Sequence, residues 1–332
     1  MALLQPETNP AHAALAEWLE TCIPHVLRPV RMVARHQPKG FFGRLLGGGA
    51  PAGEIIDLAD HAAGRALGEP TGSALLTREF MVDVPRLTIA LARDGVARGG
   101  SVSRAAADTG DLAVTAPTAD DNVARVVLRR PWRDLFGYRW PMGDGATLTA
   151  LPFDADHLLL EGPPGARALQ QAASSLFANW PDRAGTLASA PAATTADGLG
   201  DLPAVAGTGL AADPGLQQGT MEGGYGMFAN RLAATFAHLD GALIRGLVAR
   251  HGATAPQVLK DVRAEADLGQ DFGAGLFAAE VRWFATQEWA HTADDILDRR
   301  GDFRLRGADA VALQRWMARG PERGLDRGEA AV

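Results

Sequence analysis

The sequence predicts an α+β protein in which a mixed sheet within residues 1–180 precedes an α-helical domain at residues 225–320. Short β-rich runs bounded by Gly and Pro turns fill the middle of the chain. Apolar residues recur at helical spacing in the last third. Between these regions, residues 181–224 are rich in Ala, Gly, Pro and Thr and keep no periodicity. We interpret 181–224 as loop and linker, and residues 321–332 as a frayed tail.

Composition narrows the class of protein. The 332 residues are 47% hydrophobic and 21% charged, which is enough apolar sequence for two buried cores. A net charge of -7 argues against nucleic-acid binding, which usually needs a basic face. No apolar run is long enough to cross a bilayer, and the first residues do not resemble a signal peptide. The single Cys22 excludes an intramolecular disulfide and a cysteine-based metal site, so we expect a cytoplasmic protein.

Local signals predict the elements of the first half. Asn9 as N-cap and Pro10 at the first helical position begin a helix that Pro24 ends. Two more helices are predicted at residues 54–67, from apolar residues on one face, and at 85–93. The strand candidates are residues 30–33, 79–83, 102, 112–114, 124–128, 147–151 and 157–160.

The last third contains helices with recognisable ends. Leu243 and Leu247 lie on one helical face, and Gly252 is placed as a C-terminal cap. Thr254 and Gln257 have the spacing of a capping box. Two further helices are indicated by Val281, Phe284, Ala285 and Trp289, and by Leu313, Trp316 and Met317.

Three motifs in this region occur in a recognisable order. They are Asp267-Leu-Gly-Gln-Asp-Phe-Gly273, Ala279-Glu-Val-Arg-Trp283 and Gln287-Glu-Trp-Ala-His-Thr-Ala-Asp-Asp-Ile-Leu-Asp-Arg-Arg300. Their order resembles the helical C-terminal domain of the FAD-dependent, respiratory glycerol-3-phosphate dehydrogenases, over roughly residues 228–317. Upstream, Phe80-Met-Val-Asp-Val-Pro-Arg-Leu87 resembles the same family more weakly.

The resemblance implies a fold and a reaction. The mixed sheet would be the remnant of a flavoprotein substrate domain. The family oxidises glycerol 3-phosphate to dihydroxyacetone phosphate, passing hydride to FAD and electrons to a membrane quinone. It therefore also implies peripheral contact with the inner membrane.

The Gly-rich fingerprint that holds the FAD pyrophosphate in the family has no counterpart here. The only close spacing match, Gly207-Thr-Gly-Leu-Ala-Ala212, is followed by Asp213 and Pro214, which block the required helix. We interpret it as a loop. We therefore expect a chain that begins beyond the fingerprint, has no cofactor-binding residues and binds no FAD in isolation.

Substrate-site positions also depart from the resembled family. Its Gly-Gly-Lys-Leu-Thr-Thr motif places Gly209 at the lysine, and its Gly-Val-Arg-Pro motif places Leu187 at the arginine. Neither side chain can bind a phosphate. We accordingly predict no catalytic and no metal-binding residue.

Basic residues near the second strand are the candidates for substrate binding. Arg31, Arg35 and His36 fall where the family is also basic, and they could line a phosphate pocket. The alternative is a solvated basic turn.

Two acidic clusters invite metal hypotheses. Asp154-Ala-Asp-His157 could bind a metal or act as a base, but no third ligand is in sight and we interpret it as a surface turn. Glu288, His291, Asp294 and Asp295 lie within two helical turns. The resemblance instead implies a structural helix junction capped by Thr292.

Three functional hypotheses follow. The chain is a non-catalytic relative of the dehydrogenase, or the substrate and C-terminal half of a split enzyme whose FAD domain is on another chain, or a flavoenzyme with a remodelled site. The expected partners are a second copy of the chain or a protein that carries the FAD domain.

Overall fold

The structure is a computed structural model. It describes residues 2–35, 53–68, 71–102, 124–129, 136–142, 146–153, 157–162, 166–177, 186–191 and 224–320. The chain divides into two compact units. The first, here the sheet unit, comprises Met1–Ala16, Arg28–Met81 and Val114–Asp201. The second, here the helical unit, comprises Glu17–Leu27, Val82–Ala113 and Leu202–Val332.

The strands form one mixed sheet. Within the described residues it has nine strands, in the order β1-β4-β2-β6-β7-β8-β5-β9, and β3 pairs with β4. Strands β2 and β6 are parallel, whereas β6–β7, β7–β8, β8–β5 and β5–β9 are antiparallel. The bounds are β1 Ala2–Leu4, β2 Leu27–Arg35, β3 Glu54–Asp57, β4 Ser73–Val82, β5 Ala124–Arg129, β6 Phe136–Pro141, β7 Thr147–Pro152, β8 His157–Gly162 and β9 Thr186–Pro191.

Nine α-helices accompany the sheet in the described ranges. They are α1 Pro10–Cys22, α2 Val84–Ala97, α3 Ala166–Leu176, α4 Gly224–Thr235, α5 Gly241–His251, α6 Ala255–Val258, α7 Ala278–Gln287, α8 Ala293–Arg299 and α9 Ala310–Ala318. Short 3-10 turns occur at Pro24–Val26, Ala62–Ala66, Gly252–Thr254 and Glu265–Leu268. The predicted α+β class, a mixed sheet with a C-terminal helical domain, is confirmed.

The core of the sheet unit lies between one sheet face and α3. Leu169 and Ala173 of α3 are completely buried, and they belong to the same apolar cluster as Val33 of β2 and Tyr138 of β6. The Tyr138 hydroxyl donates a 2.6 Å hydrogen bond to the carbonyl of Ala63, which satisfies the one polar atom of a buried ring. Helix α3 and strand β6 were not predicted.

The predicted helix at residues 54–67 is wrong. Residues Glu54–Asp57 instead form β3, which pairs antiparallel with β4. Ile55 is 52% exposed and Ile56 is buried, which is the alternation of a strand. The β-branched pair and the pairing partner therefore override the helical periodicity.

One strand prediction is wrong, and another concerns residues outside those that the structure describes. Val102 is exposed and lies outside any strand, and residues 112–114 lie outside the described residues. Strand β9 occurs within residues 181–224, which the sequence predicted as loop and linker. The division of the chain at that linker stays a prediction.

The helix ends of the helical unit follow local chemistry. Gly252 ends α5 with φ 54°, as predicted, and its α-carbon adjoins the ring of His25. A Cβ at Gly252 would lie 2.7 Å from Nδ1 of His25, so only glycine fits. The predicted capping box at Thr254 is wrong, because the Thr254 hydroxyl donates to the carbonyl of His251 at 2.7 Å and caps nothing. In the described residues, no helix is long and apolar enough to cross a membrane.

Candidate functional site

The predicted basic residues of β2 lie beside aromatic rings. Arg31 and Arg35 are both exposed, four residues apart on the strand. The Arg31 guanidinium lies 4.9 Å from the ring centroid of Phe136, and that of Arg35 lies 5.8 Å from the ring centroid of Trp140. At about 3.3 Å per residue, their α-carbons are roughly 13 Å apart. Each cation therefore has its own aromatic partner, and their role in substrate binding stays a prediction.

Three further predicted positions are His36, the third basic candidate, and Leu187 and Gly209, which stand for the arginine and lysine of the family. His36 and Gly209 lie outside the described residues. Leu187 belongs to β9, beside the register shift at which Ala188 pairs with Val127 and Thr186 with Leu128.

A largely buried ion pair lies within the sheet unit. The Arg139 guanidinium of β6 donates to both carboxylate oxygens of Glu79 on β4, at 2.9 and 2.8 Å. The Thr77 hydroxyl donates a further 3.2 Å hydrogen bond to Glu79. Glu79 is only 2% exposed, so the bidentate arginine neutralises a carboxylate that burial would otherwise disfavour.

The more extensive polar cluster lies in the helical unit, around Glu288 immediately after α7. Arg86 of α2 donates to the two Glu288 carboxylate oxygens at 2.6 and 3.2 Å. The indole N–H of Trp283 donates to the same carboxylate at 3.0 Å. Arg300 donates to the Glu288 main-chain carbonyl at 2.9 Å. The Glu288 side chain is fully shielded from solvent, so these groups replace its lost hydration.

A second carboxylate extends this cluster. Glu280 of α7 accepts from Nε and Nη2 of Arg250 at 2.7 and 2.8 Å. Nε2 of His251 lies 2.7 Å from the same carboxylate, and its ring stacks on Phe284 with centroids 5.3 Å apart. We call the set Arg86, Arg250, His251, Glu280, Glu288 and Arg300 the buried ion cluster.

The electrostatics keep both carboxylates ionised. Burial raises the pKa of Glu280, but Arg250 and His251 outweigh it and hold that pKa at about 2. Burial likewise opposes ionisation of Glu288, and Arg86 and His251 nevertheless hold its pKa well below the usual range. Burial, followed by the charge of Arg86, lowers the pKa of nearby His25 to about 3. The cluster is thus a set of fixed charges closed to solvent, suited to holding helices together.

The predicted helix junction after Glu288 is present. The Thr292 hydroxyl accepts from the N–H of Asp295 at 3.1 Å, and the Asp295 carboxylate accepts from the N–H groups of His291 and Thr292, both at 3.0 Å. This is a reciprocal capping box at the start of α8. Among the described residues, no group of three or more His, Cys, Asp or Glu side chains could hold a metal ion. Asp154 lies outside those residues.

The start of α2 does not suit a flavin pyrophosphate. The turn from β4 into α2 contains Asp83, whose carboxylate accepts the N–H of Arg86 at 3.1 Å, and a proline in the first turn. A carboxylate at that N-terminus repels a phosphate, and the proline removes a donor. Residues 207–212 lie outside the described residues.

Sequence comparison gives a domain match. A family model described as the C-terminal domain of alpha-glycerophosphate oxidase matches residues 217–316. The chain is 40% identical to the glycerol-3-phosphate dehydrogenase of Pseudomonas aeruginosa over 75 residues, 23% of this chain and 15% of that protein. It is 33% identical to the aerobic glycerol-3-phosphate dehydrogenase of Escherichia coli over 85 residues, 26% and 17% of the two chains.

A third relative has a different substrate in its name. The chain is 34% identical to the D-erythritol 1-phosphate dehydrogenase of Brucella abortus over 94 residues, 28% of this chain and 19% of that protein. The matched stretches thus span less than a fifth of each relative's length.

Structural comparison extends the likeness in fold. The glycerol-3-phosphate dehydrogenase of Bacillus halodurans, complexed with FAD, matches with a TM-score of 0.62 and 15% identity, over 97% of this chain and 82% of that one. At that identity the match establishes the fold alone. The chain is thus similar to the FAD-dependent glycerol-3-phosphate dehydrogenases, by sequence in its C-terminal domain and by fold over most of its length.

Proposed function

We propose that this chain is a glycerol-3-phosphate dehydrogenase-like protein that does not oxidise glycerol 3-phosphate by itself. The observation that carries the proposal is that two predicted substrate positions have no cationic side chain. By the resemblance, Leu187 and Gly209 fall where the family has an arginine and a lysine. A phosphate monoester is strongly hydrated, and a site binds it by supplying fixed cations in place of water.

The arginines described in β2 and β6 offer limited compensation. Arg139 is held by Glu79 through two hydrogen bonds. Arg28 donates to the carbonyl of Phe153 at 2.8 Å. Arg31 and Arg35 lie over Phe136 and Trp140 and are the remaining candidates.

The helical unit supports a structural role for the folded chain. Its apolar core includes Ile244, Val281, Phe284 and Leu297, all without solvent exposure. The buried ion cluster beside this core has each carboxylate paired. A retained core with altered substrate positions fits a protein that acts as a structural or regulatory partner, either as a homo-oligomer or with another chain.

The alternative is one half of a split enzyme. In that case a second protein supplies the FAD domain, and this chain supplies the substrate and C-terminal domains. The fold match over 97% of the chain to an enzyme that was crystallised with FAD favours this candidate. A cytoplasmic location with peripheral contact at the inner membrane belongs to both proposals.

A flavin and turnover assay separates these functions. The purified chain is scanned for flavin absorbance, then assayed for dye-linked oxidation of glycerol 3-phosphate with added FAD, using the E. coli aerobic enzyme as positive control. We expect no stoichiometric flavin and no turnover. Turnover only after co-expression with a protein carrying a Gly-rich FAD fingerprint supports the split enzyme. Turnover by the chain alone contradicts both proposals.

A further inference from the structure

The arginine that donates to both oxygens of the buried Glu288 carboxylate lies outside the segment that the family model matches. That segment covers residues 217–316 and contains Glu288. Arg86 lies in α2, 202 positions before Glu288 in the sequence. Both belong to the helical unit, which is assembled from three separate stretches of chain.

Arg86 is placed with little freedom. Its Nη1 and Nη2 donate to opposite oxygens of Glu288, and its Nε donates to the carbonyl of Arg250 at 2.9 Å. Its guanidinium also lies 5.9 Å from the ring centroid of Phe284. The Arg86 side chain is 5% exposed and that of Glu288 is 0% exposed.

The start of α2 is also held by a hydrogen bond from outside the helix. The N–H of Asp83 donates to the carbonyl of Val26 at 2.9 Å, which ties the start of α2 to the 3-10 turn Pro24–Val26. His25 of that turn packs on Gly252, at the end of α5. Two early segments therefore contact the C-terminal helices through polar groups as well as through burial.

Without α2, Glu288 keeps few partners. Arg93, whose Nη1 lies 3.8 Å from the carboxylate, is also on α2 and would be lost with Arg86. The carboxylate would retain the 3.0 Å hydrogen bond from Trp283 and longer contacts from Arg300 at 4.0 Å and His251 at 3.7 Å. If only the Arg86 guanidinium is removed and α2 stays in place, the carboxylate remains buried with little compensation, which strongly disfavours the folded state.

We infer that the C-terminal domain of this chain is discontinuous, and that residues 224–320 form a receptor whose occupant is α2 with Arg86 inserted. The matched segment is therefore not an independent folding module. The order of α7 and α8 depends on the docking of a helix that is encoded more than a hundred residues earlier. This inference is independent of the proposed function, because it concerns neither flavin nor substrate.

Hydrogen exchange on the full chain tests the inference. Peptide-resolved exchange is compared for the wild type, Arg86→Met, Glu288→Met, the double variant, and Arg299→Met as a control. Arg299 belongs to α8 but its side chain is 71% exposed, so its loss removes a guanidinium without opening the core. The amides of β7 and β8 in the sheet unit give an internal reference.

Each single variant should speed exchange in α7 and α8 by roughly a hundred- to thousand-fold, about 3–4 kcal/mol at 1.4 kcal/mol per tenfold. The double variant should lose much less than the two single losses combined, because neither charge is then buried alone. Arg299→Met and the sheet amides should change by less than threefold.

Failure to fold does not leave the inference untested. If both single variants are insoluble, recovery of a folded double variant supports the inference, and Arg86→Lys, which keeps the charge without the bidentate fork, should show an intermediate loss. Unchanged exchange in α7 and α8 on Arg86→Met contradicts it. Losses that simply add in the double variant also contradict it.

Discussion

Arg86 and Glu288 lie 202 positions apart in sequence, yet the guanidinium of one donates to both carboxylate oxygens of the other, at 2.6 and 3.2 Å. The contact joins α2 to the end of α7 inside the helical unit. It occurs where the chain takes an uncommon conformation, since Trp289 has φ 54°. A bulky residue in the left-handed region is strained, so the surrounding contacts hold this turn in place.

The capping box at α8 gives a local test of stability. Thr292→Ala removes the acceptor of the Asp295 N–H, and we expect a loss of about 1 kcal/mol in the free energy of unfolding. Urea denaturation measures it. Thr286→Ala is the control, because that exposed hydroxyl only donates to the carbonyl of Arg282 within α7. Equal losses in the two variants would contradict the assigned cap.

Substitutions at two glycines distinguish the effect of backbone conformation on stability from the effect of side-chain packing. A Cβ at Gly275 or at Gly95 would meet no atom within 4 Å, but Gly275 has φ 73° and Gly95 lies in α2. We expect Gly275→Ala to destabilise by about 1–2 kcal/mol, since left-handed φ disfavours a side chain. Gly95→Ala should stabilise by about 0.5–1 kcal/mol. The same sign of change in both variants, measured by thermal unfolding, would refute this assignment.

The helical unit should lose stability in acid from about pH 6.5 downward. His25, with its folded pKa lowered to about 3, stays neutral while the unfolded chain binds a proton below its usual value of 6.5. Stability therefore falls as pH drops, by at most about 1.4 kcal/mol per pH unit for this group. Glu280 adds a second loss as pH falls below 4.5 towards its folded pKa of about 2.

A histidine variant isolates the contribution of His25 to this loss of stability in acid. His25→Gln should flatten the dependence of the unfolding free energy between pH 6.5 and 4.5, even if it lowers stability overall. His291→Gln, at an exposed position, should leave the slope unchanged. A slope in this window that survives His25→Gln would contradict the role of His25.

Elements with local signals could be predicted from the sequence. Asn9 and Pro10 begin α1, and the Asn9 side chain accepts from the N–H of Ala11 at 3.0 Å. Thr292 and Asp295 likewise carry their capping signal within four residues. The strands at 147–152 and 157–162 were predicted because their leucine-rich runs are bounded by turns.

Non-local contacts explain what was missed. Glu54–Asp57 is a strand because β4 lies beside it, which its own periodicity does not reveal. Glu288 was recognised only as part of a helix junction, because its partner Arg86 is 202 positions away. The placement of Arg31 and Arg35 over Phe136 and Trp140 depends on the parallel pairing of β2 with β6, which the sequence pattern does not specify.

The most direct test of the proposed function is calorimetric titration of the purified chain with glycerol 3-phosphate at low ionic strength, where screening does not hide a weak electrostatic attraction. Each charge-assisted hydrogen bond contributes about 1.5–3 kcal/mol, so losing the two cationic contacts should weaken binding by roughly two to four orders of magnitude. Arg65→Ala, an exposed arginine elsewhere in the sheet unit, controls for the change in net charge. We predict no saturable binding below millimolar concentration. Saturable micromolar binding that Arg31→Ala abolishes and Arg65→Ala preserves would contradict the account, because it would show a working phosphate site at β2.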